Sequence, residues 1–234
     1  MKLSVLVPVF NEAATIEEII RRVRAVASPD LAIEIIVVDD ASTDDTGRII
    51  EEAAAAAGRG DLVALHHQTN LGKGAAVRTA LARATGDIVI IQDADLEYDP
   101  ADYHGMVAAM QAGGAPVVYG SRILGNNPHS YRRYYYGGRL LTAVFNLLYG
   151  SRLTDLTTCY KSFRRETIAS LPLTSVGFEF CPEVTARLVT RGIPIVEVPV
   201  SYHPRSIEDG KKIRWHDGLR ALWTMLRLRW RHRA

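Results

Sequence analysis

The chain predicts an α/β fold, a mostly parallel, doubly wound central sheet flanked by helices. Three observations carry that prediction. Five short β-branched apolar runs, at residues 3–7, 33–38, 62–65, 88–91 and 117–119, alternate with helical patterns. The runs are continuously apolar, as in strands buried on both faces. Each is followed by polar or charged residues, which puts ligand chemistry at the strands' carboxyl ends.

Taken in order, residues 3–7 form the first strand, and Pro8 is expected to end its ladder. Thr15 and Glu18 have capping-box spacing, which predicts a helix over 14–27. The strand at 33–38 runs into the polar loop Asp39-Asp40-Ala41-Ser42-Thr43-Asp44-Asp45-Thr46, and the helix after it reaches about residue 57, stopped by Gly58. A glycine loop, Asn70-Leu71-Gly72-Lys73-Gly74, opens the third helix, which ends near Gly86. The fourth helix spans 100–112 and stops at Gly113-Gly114. Further on, the pattern predicts a helix over 140–149, an extended segment over 155–163, a helix over 179–191 and a short strand over 195–200.

With 234 residues, 47% of them hydrophobic and 23% charged, the chain suits one large globular domain rather than a disordered segment. No repeat and no linker rich in Gly, Pro or Ser divides it, so residues 1–122 and 123–210 are expected to share one core. Charge is uneven: residues 211–234 carry a net +7, whereas residues 1–210 carry −5. Cys159 and Cys181 are the only cysteines, too few for a disulfide framework, so reduced thiols are expected. No leader and no membrane-spanning run is expected.

Residues 88–91 end in Asp93 and Asp95, with Glu97 two further on. In an extended chain these three carboxylates share one side. They would repel one another unless joined by a hard divalent cation such as Mg²⁺ or Mn²⁺, which usually also holds substrate phosphates. The other strand ends bring Phe10, Glu12, Asp39, Asp40, Lys73 and Arg122 to the same rim. That set suits a metal-bound nucleoside diphosphate. Phe10 would pack on the base, Asp40 would accept from base N–H groups, and Lys73 or Arg122 would balance phosphate charge. A Rossmann fingerprint is excluded, because Pro8 and Asn11 stand where its glycines belong. A Walker loop is excluded, because His67 stands in place of its first glycine and no hydroxyl residue follows Lys73.

Val7-Pro8-Val9-Phe10-Asn11-Glu12, Val37-Val38-Asp39-Asp40, Asn70-Leu71-Gly72-Lys73-Gly74 and Asp93-Ala94-Asp95 resemble the ordered motifs of family 2 glycosyltransferases of the GT-A fold. Gly120-Ser121-Arg122, Asp155-Leu156-Thr157-Thr158-Cys159-Tyr160-Lys161 and Gly177-Phe178-Glu179-Phe180 are similar to the branch with dolichol-phosphate mannose synthases and bacterial polyprenyl-phosphate sugar transferases. The resemblance implies a metal-dependent, inverting hexosyltransferase. Its donor would be a nucleotide diphosphate sugar of the GDP-mannose or UDP-glucose type, and its acceptor a polyprenyl or dolichyl phosphate. It places Pro8, Phe10, Glu12 and Asp40 at the nucleoside, and Asp93, Asp95 and Glu97 at the metal and diphosphate. Glu97 stands where the mannose synthases often have Gln. Arg122 and Arg139 fall near positions implicated in binding lipid phosphate.

A lipid phosphate acceptor is already anionic and needs arginines to position it. A hydroxyl acceptor would instead need a base such as Asp155 or Glu179, although Asp155 also suits a cap or an ion pair with Arg164 or Arg165. Arg205 with Lys211 and Lys212 would form a basic lid over the phosphates. In the tail, Trp215, Leu219, Leu222, Leu226 and Trp230 recur at helical steps, with Arg220, Arg227 and Arg231 on another face. A basic amphipathic helix over 211–234 suits a membrane interface, or packing against the domain or a partner subunit. No nucleic-acid module accompanies the basic run. The expected location is cytoplasmic, peripheral on the inner face of the membrane. A soluble or polysaccharide acceptor, and a catalytically silent nucleotide-sugar-binding or assembly protein, are the rival expectations.

Overall fold

A computed structural model describes residues 1–57, 61–128, 132–205 and 215–231, and for residues 132–134, 215 and 231 the backbone alone. Seven strands form one sheet in the order β3-β2-β1-β4-β6-β5-β7. They are β1 (Lys2–Val9), β2 (Ala32–Asp39), β3 (Leu62–His66), β4 (Ile88–Ile91), β5 (Val117–Ser121), β6 (Lys161–Arg164) and β7 (Val196–Pro199). Among the described residues eight α-helices accompany them, with a 3-10 turn at Pro100–Asp102: α1 (Ile16–Ala25), α2 (Thr46–Ala55), α3 (Lys73–Leu81), α4 (Tyr103–Ala112), α5 (Arg132–Tyr149), α6 (Arg165–Ala169), α7 (Phe180–Thr190) and α8 (Trp215–Arg231).

Every pairing is parallel except those of β6, which runs antiparallel between β4 and β5. The expected mostly parallel α/β sheet is therefore present. The segment expected to be extended over 155–163 forms a strand only from Lys161. Alternation along β1 explains why the sheet is double-sided. Leu3, Val5 and Val7 face the cluster made with α1 and α4, whereas Leu6 faces the cluster made with α3 and α7. Strands buried on both faces must be apolar throughout, which is why these runs do not alternate.

Pro8 does not end β1; it pairs in register with Val38. The Val9 carbonyl accepts from Asp40 N–H on the β2 side, and the Leu6 carbonyl accepts from Gln92 N–H on the β4 side. Alternation turns Pro8 toward β4, whose ladder stops at Leu6, so the missing N–H interrupts nothing. The capping box at α1 does not form. Thr15 Oγ1 donates to Glu12 instead, and Glu18 pairs with Arg21 and Arg22. Helix α5 begins eight residues before the expected start at 140, despite Gly137 and Gly138. A Cβ on Gly138 would lie 3.0 Å from Thr157 Oγ1, so close approach accounts for the glycine that made this stretch read as non-helical. Gly58, Lys211 and Lys212 lie outside the described residues, as do the side chains of Trp215 and Arg231.

The tail helix α8 packs against the body rather than standing apart. Ala221, Met225 and Leu228, with Leu222 partly buried, join Phe145, Tyr149 and Ala186 of α5 and α7 in a third apolar cluster. The apolar stripe read from the sequence is thus split. Leu222 turns inward, whereas Leu219 and Trp230 are exposed; so are Trp223, outside that stripe, and Tyr136, Leu140 and Leu147 of α5. No helix among the described residues is long and apolar enough to cross a membrane.

Candidate active site

The carboxyl ends of β1, β2 and β4 lie side by side, so Phe10 to Glu12, Asp39-Asp40 and the turn over residues 93–97 meet at one rim. The last of these is a turn and not an extended continuation of β4. Leu96 has φ +59, in the left-handed region that a non-glycine residue adopts only when its surroundings hold it there. The strand alternation expected to line up the three carboxylates is therefore absent here. Among the described residues no group of three or more His, Cys, Asp or Glu side chains could hold a metal ion.

Each carboxylate has its own surroundings. Asp93 pairs with Lys73 at 2.5 Å. Burial alone would lower the Lys73 ammonium, but Asp93 reverses this and holds it well above its usual value. Burial likewise opposes ionisation of Asp93, and Lys73 overcomes it, keeping the carboxyl below its ordinary range. Lys73 thus neutralises a carboxylate rather than standing ready for a phosphate. Glu97 accepts from the Tyr202 hydroxyl at 2.9 Å and from Arg205 N–H at 2.9 Å. Asp95 accepts one hydrogen bond, from Glu97 N–H at 3.1 Å. Burial, then the charges of Asp93 and Glu97, push its carboxyl up to about 7. Of the three, Asp95 has the least charge compensation.

Arg205 crosses the rim as a strap. Its Nη2 lies 2.7 Å from Glu12 Oε2, and its Nε donates to the Asp95 carbonyl at 2.6 Å. The expected lid residue is therefore engaged with the Glu12 carboxylate and the Asp95 carbonyl here. Asp40 is engaged too: it accepts from Leu71 N–H at 2.9 Å and Gly72 N–H at 2.7 Å, and His67 Nδ1 lies 2.7 Å from it. Its role here is to pin the glycine loop, whose Gly72 has φ +94 and packs so closely on the Val176 carbonyl that a Cβ would lie 2.5 Å away. Pro8 is buried in β1, and Phe10 is half-buried just beyond it.

On the far side of the rim, Arg122 follows β5 and makes a two-pronged pair with Asp155. Its Nε and Nη2 each donate at 2.7 Å, and Nη2 also donates to Thr157 Oγ1 at 2.8 Å. Burial would raise the Asp155 carboxyl, but Arg122 overrides it and holds the group below its ordinary range. The ion pair anticipated with Arg164 or Arg165 is made with Arg122 instead. A carboxylate so depressed and so occupied is a poor proton acceptor, which argues against Asp155 as a base. Glu179, the other candidate base, accepts from Val176 and Gly177 N–H at 3.2 and 3.0 Å and caps that turn. Arg139 is exposed on α5, one residue from the contact of Gly138 with Thr157.

Two contributors escaped the sequence reading. Tyr202, joined to Tyr98 by an isolated antiparallel bridge, holds Glu97, and its ring lies 5.2 Å from the Arg122 guanidinium. Lys161, fully buried on β6, donates to the carbonyls of Leu156 and Thr158 and so braces the loop that carries Asp155 and Thr157. Tyr202 reaches Glu97 from 105 residues away, which a local pattern cannot signal, whereas the contacts of Lys161 are local but depend on the loop folding back over its buried ammonium.

A mostly parallel sheet with β6 inserted antiparallel between β4 and β5, and a carboxylate rim at its strand ends, has the GT-A architecture. Residues 4–171 match the family described as Glycosyl transferase family 2, and the chain belongs to that family. It is 30% identical over 229 residues to the low-salt glycan biosynthesis hexosyltransferase Agl6 of Haloferax volcanii, covering 96% of this chain and 53% of that protein. It is 30% identical over 254 residues to the undecaprenyl-phosphate mannosyltransferase of Micrococcus luteus, covering 98% of this chain and 99% of that one. The chain spans 53% of Agl6 and 63% of the glycosyltransferase AglJ from the same organism. Among solved structures, Mycobacterium tuberculosis glucosyl-3-phosphoglycerate synthase in complex with Mn²⁺, UDP and glucosyl-3-phosphoglycerate superposes with a TM-score of 0.74 at 22% identity. It covers 97% of this chain and 79% of that one.

Proposed function

We propose that the protein transfers a hexose, with inversion, from a nucleotide diphosphate sugar to a polyprenyl phosphate at the cytosolic face of a membrane. The observation that carries this reading is the pairing of two unlike sites on one rim. An under-compensated carboxylate, Asp95, suits a cation-bound diphosphate, and an arginine, Arg122, whose Nη1 lies outside its pair with Asp155, suits an anionic acceptor. The relatives named above include a transferase that acts on undecaprenyl phosphate.

Mg²⁺ or Mn²⁺ fits the donor set. Crowded, desolvated oxygen ligands favour a hard cation, and Mg²⁺ is commonly held by one or two carboxylates plus substrate phosphates rather than by an all-protein cage. Asp95 would hold the ion, with Asp93 beside it and Glu97 behind it. When bound, the cation supplies charge neutralisation for the departing diphosphate. The remaining work falls to the chain. Phe10 and Asp40 frame the nucleoside position, Asp40 by fixing the glycine loop. Glu12 and Arg205 close over the diphosphate. Arg122, aligned by Asp155 and Thr157, orients the acceptor phosphate, with Arg139 at its outer edge. No strong base is required, because a phosphate acceptor is already ionised. The exposed Leu219, Trp223 and Trp230 of α8 and Tyr136, Leu140 and Leu147 of α5, among arginines, support contact with an anionic membrane surface.

Labelled GDP-mannose and UDP-glucose, each with Mn²⁺ and polyprenyl phosphate in detergent, test the reading. Label is expected in the organic phase, and chelation is expected to abolish it. No lipid-extractable label with any donor tried would count against it. A second reading, transfer to a soluble acceptor, draws on the fold shared with the phosphoglycerate-glucosylating enzyme. It predicts water-soluble product and no dependence on vesicles.

A further inference from the structure

A cavity of about 330 Å³ lies between α8 and the loop that roofs the glycine loop. Ser175 and Thr174 line one wall; Arg220, Trp223, Thr224 and Arg227 of α8 line the other. Arg220 and Arg227 are two helical turns apart and therefore on one face. Neither forms an ion pair among the described residues.

Two polar atoms here are buried without a hydrogen-bond partner, Ser175 Oγ and Arg227 Nε, and no others are in that condition among the described residues. Ser175 is only 6% exposed. Its N–H donates to Glu183 at 2.7 Å and its carbonyl accepts from Arg78, while its hydroxyl lies near the Glu183 carboxylate but outside hydrogen-bond geometry. A buried donor left without a partner is unfavourable, and two such groups in one cavity mark a place shaped for something that accepts hydrogen bonds. Glu179 also lines the space, but its carboxylate already accepts from Val176 and Gly177 N–H. Two guanidinium groups against one carboxylate leave the cavity positive. Arginine favours planar or tetrahedral oxyanions, above all phosphate.

We propose that this cavity binds a phosphate group, a phosphomonoester or phosphodiester, through Arg220, Arg227 and Ser175, apart from the carboxylate rim. The site communicates with the rim through one short loop. The Val176 carbonyl accepts from Ala75 N–H at 3.2 Å, and a Cβ on Gly74 would lie 2.6 Å from the Ser175 carbonyl. Occupancy at Ser175 would steady the loop against which Gly72, Lys73 and Gly74 are set. The proposal does not depend on the donor or acceptor assigned above.

All three tryptophans of the chain lie in α8, and Trp223 lines the cavity, so intrinsic fluorescence reads occupancy. The full chain is titrated with inorganic phosphate in one arm, and in another with phosphatidylglycerol vesicles against phosphatidylcholine vesicles. No divalent cation is present in either arm, so that the rim holds no cation-bound phosphate. A saturable change with phosphate, weakened at least tenfold in Arg227→Gln and in Arg220→Ala, supports the site and assigns it a free phosphate. The same pattern with phosphatidylglycerol alone supports it and assigns a lipid headgroup. Should Arg227→Gln not fold, the exposed Arg220→Ala, again at least tenfold, and the small change Ser175→Ala, several-fold, still decide. Absence of any response, or a response equal in wild type and all three variants, overturns the proposal.

Discussion

Asp95 and Asp155 are both aspartates set in the same rim, and their surroundings treat them in opposite ways. Burial disfavours the charge on each. Asp155 meets Arg122 in a two-pronged pair and is held ionised. Asp95 meets Asp93 and Glu97 and is pushed up to about 7. The difference teaches that burial pushes both carboxylates upward alike, and that the nearest charges either add to that push or overturn it. It also separates the rim into a finished half, in which charge is already compensated, and an unfinished half that a divalent cation would complete.

The largest expected effect comes from breaking the finished half. Asp155→Ala leaves the Arg122 guanidinium buried without its partner, and should cost about 3–5 kcal/mol in urea unfolding. Replacing both, Arg122→Met with Asp155→Leu, should recover most of that loss while transfer stays abolished. A loss from Asp155→Ala within about 0.5 kcal/mol would mean that the pair is not compensating burial.

A third buried carboxylate sharpens the contrast. Glu34 accepts from Ser4, Lys2 and Thr85. Burial would raise its carboxyl, but these partners hold it down to about 2, against an ordinary 4.5. A folded-state value below the unfolded one gives stability that is fully present above pH 4.5 and is lost as pH falls toward 2. The amount is about 3 kcal/mol. Denaturant midpoints measured from pH 6 to pH 2.5 should fall, and Glu34→Gln should flatten that part of the curve.

The smallest stability effect has the opposite sign. At pH 8, without divalent cation, Asp95→Asn should raise stability by about 1 kcal/mol, because it removes a charge facing like charges. The same substitution should lower transfer at least about 100-fold if the carboxylate holds the cation. Stability gained and activity lost in one variant would mark Asp95 as a functional group rather than a structural one.

Much of the sheet and the location of the rim could be read from the chain, because both depend on local signals. Continuous apolar runs mark strands buried on both faces, and Asp40, Lys73, Asp93 and Arg122 follow those runs directly. The partners of these residues could not be read. Asp155 finds Arg122 only because β6 inserts between β4 and β5, a pairing set by non-local contacts. The turn after β4 defeated the expectation of three aligned carboxylates, because Leu96 adopts a left-handed backbone that nothing in its residue type announces. Tyr202 and Arg205 reach Glu97 and Glu12 from more than 100 residues away. The tail was read as one apolar stripe. The structure divides that stripe, because α5 and α7 cover only its inner edge.

The most direct test of the central claim is calorimetric titration of Mn²⁺ with GDP and with UDP into the wild type, Asp95→Asn and Arg122→Lys. The account predicts nucleotide binding that requires Mn²⁺, falls at least tenfold in Asp95→Asn and is little changed in Arg122→Lys. Equal affinity in wild type and Asp95→Asn, with or without Mn²⁺, would contradict it.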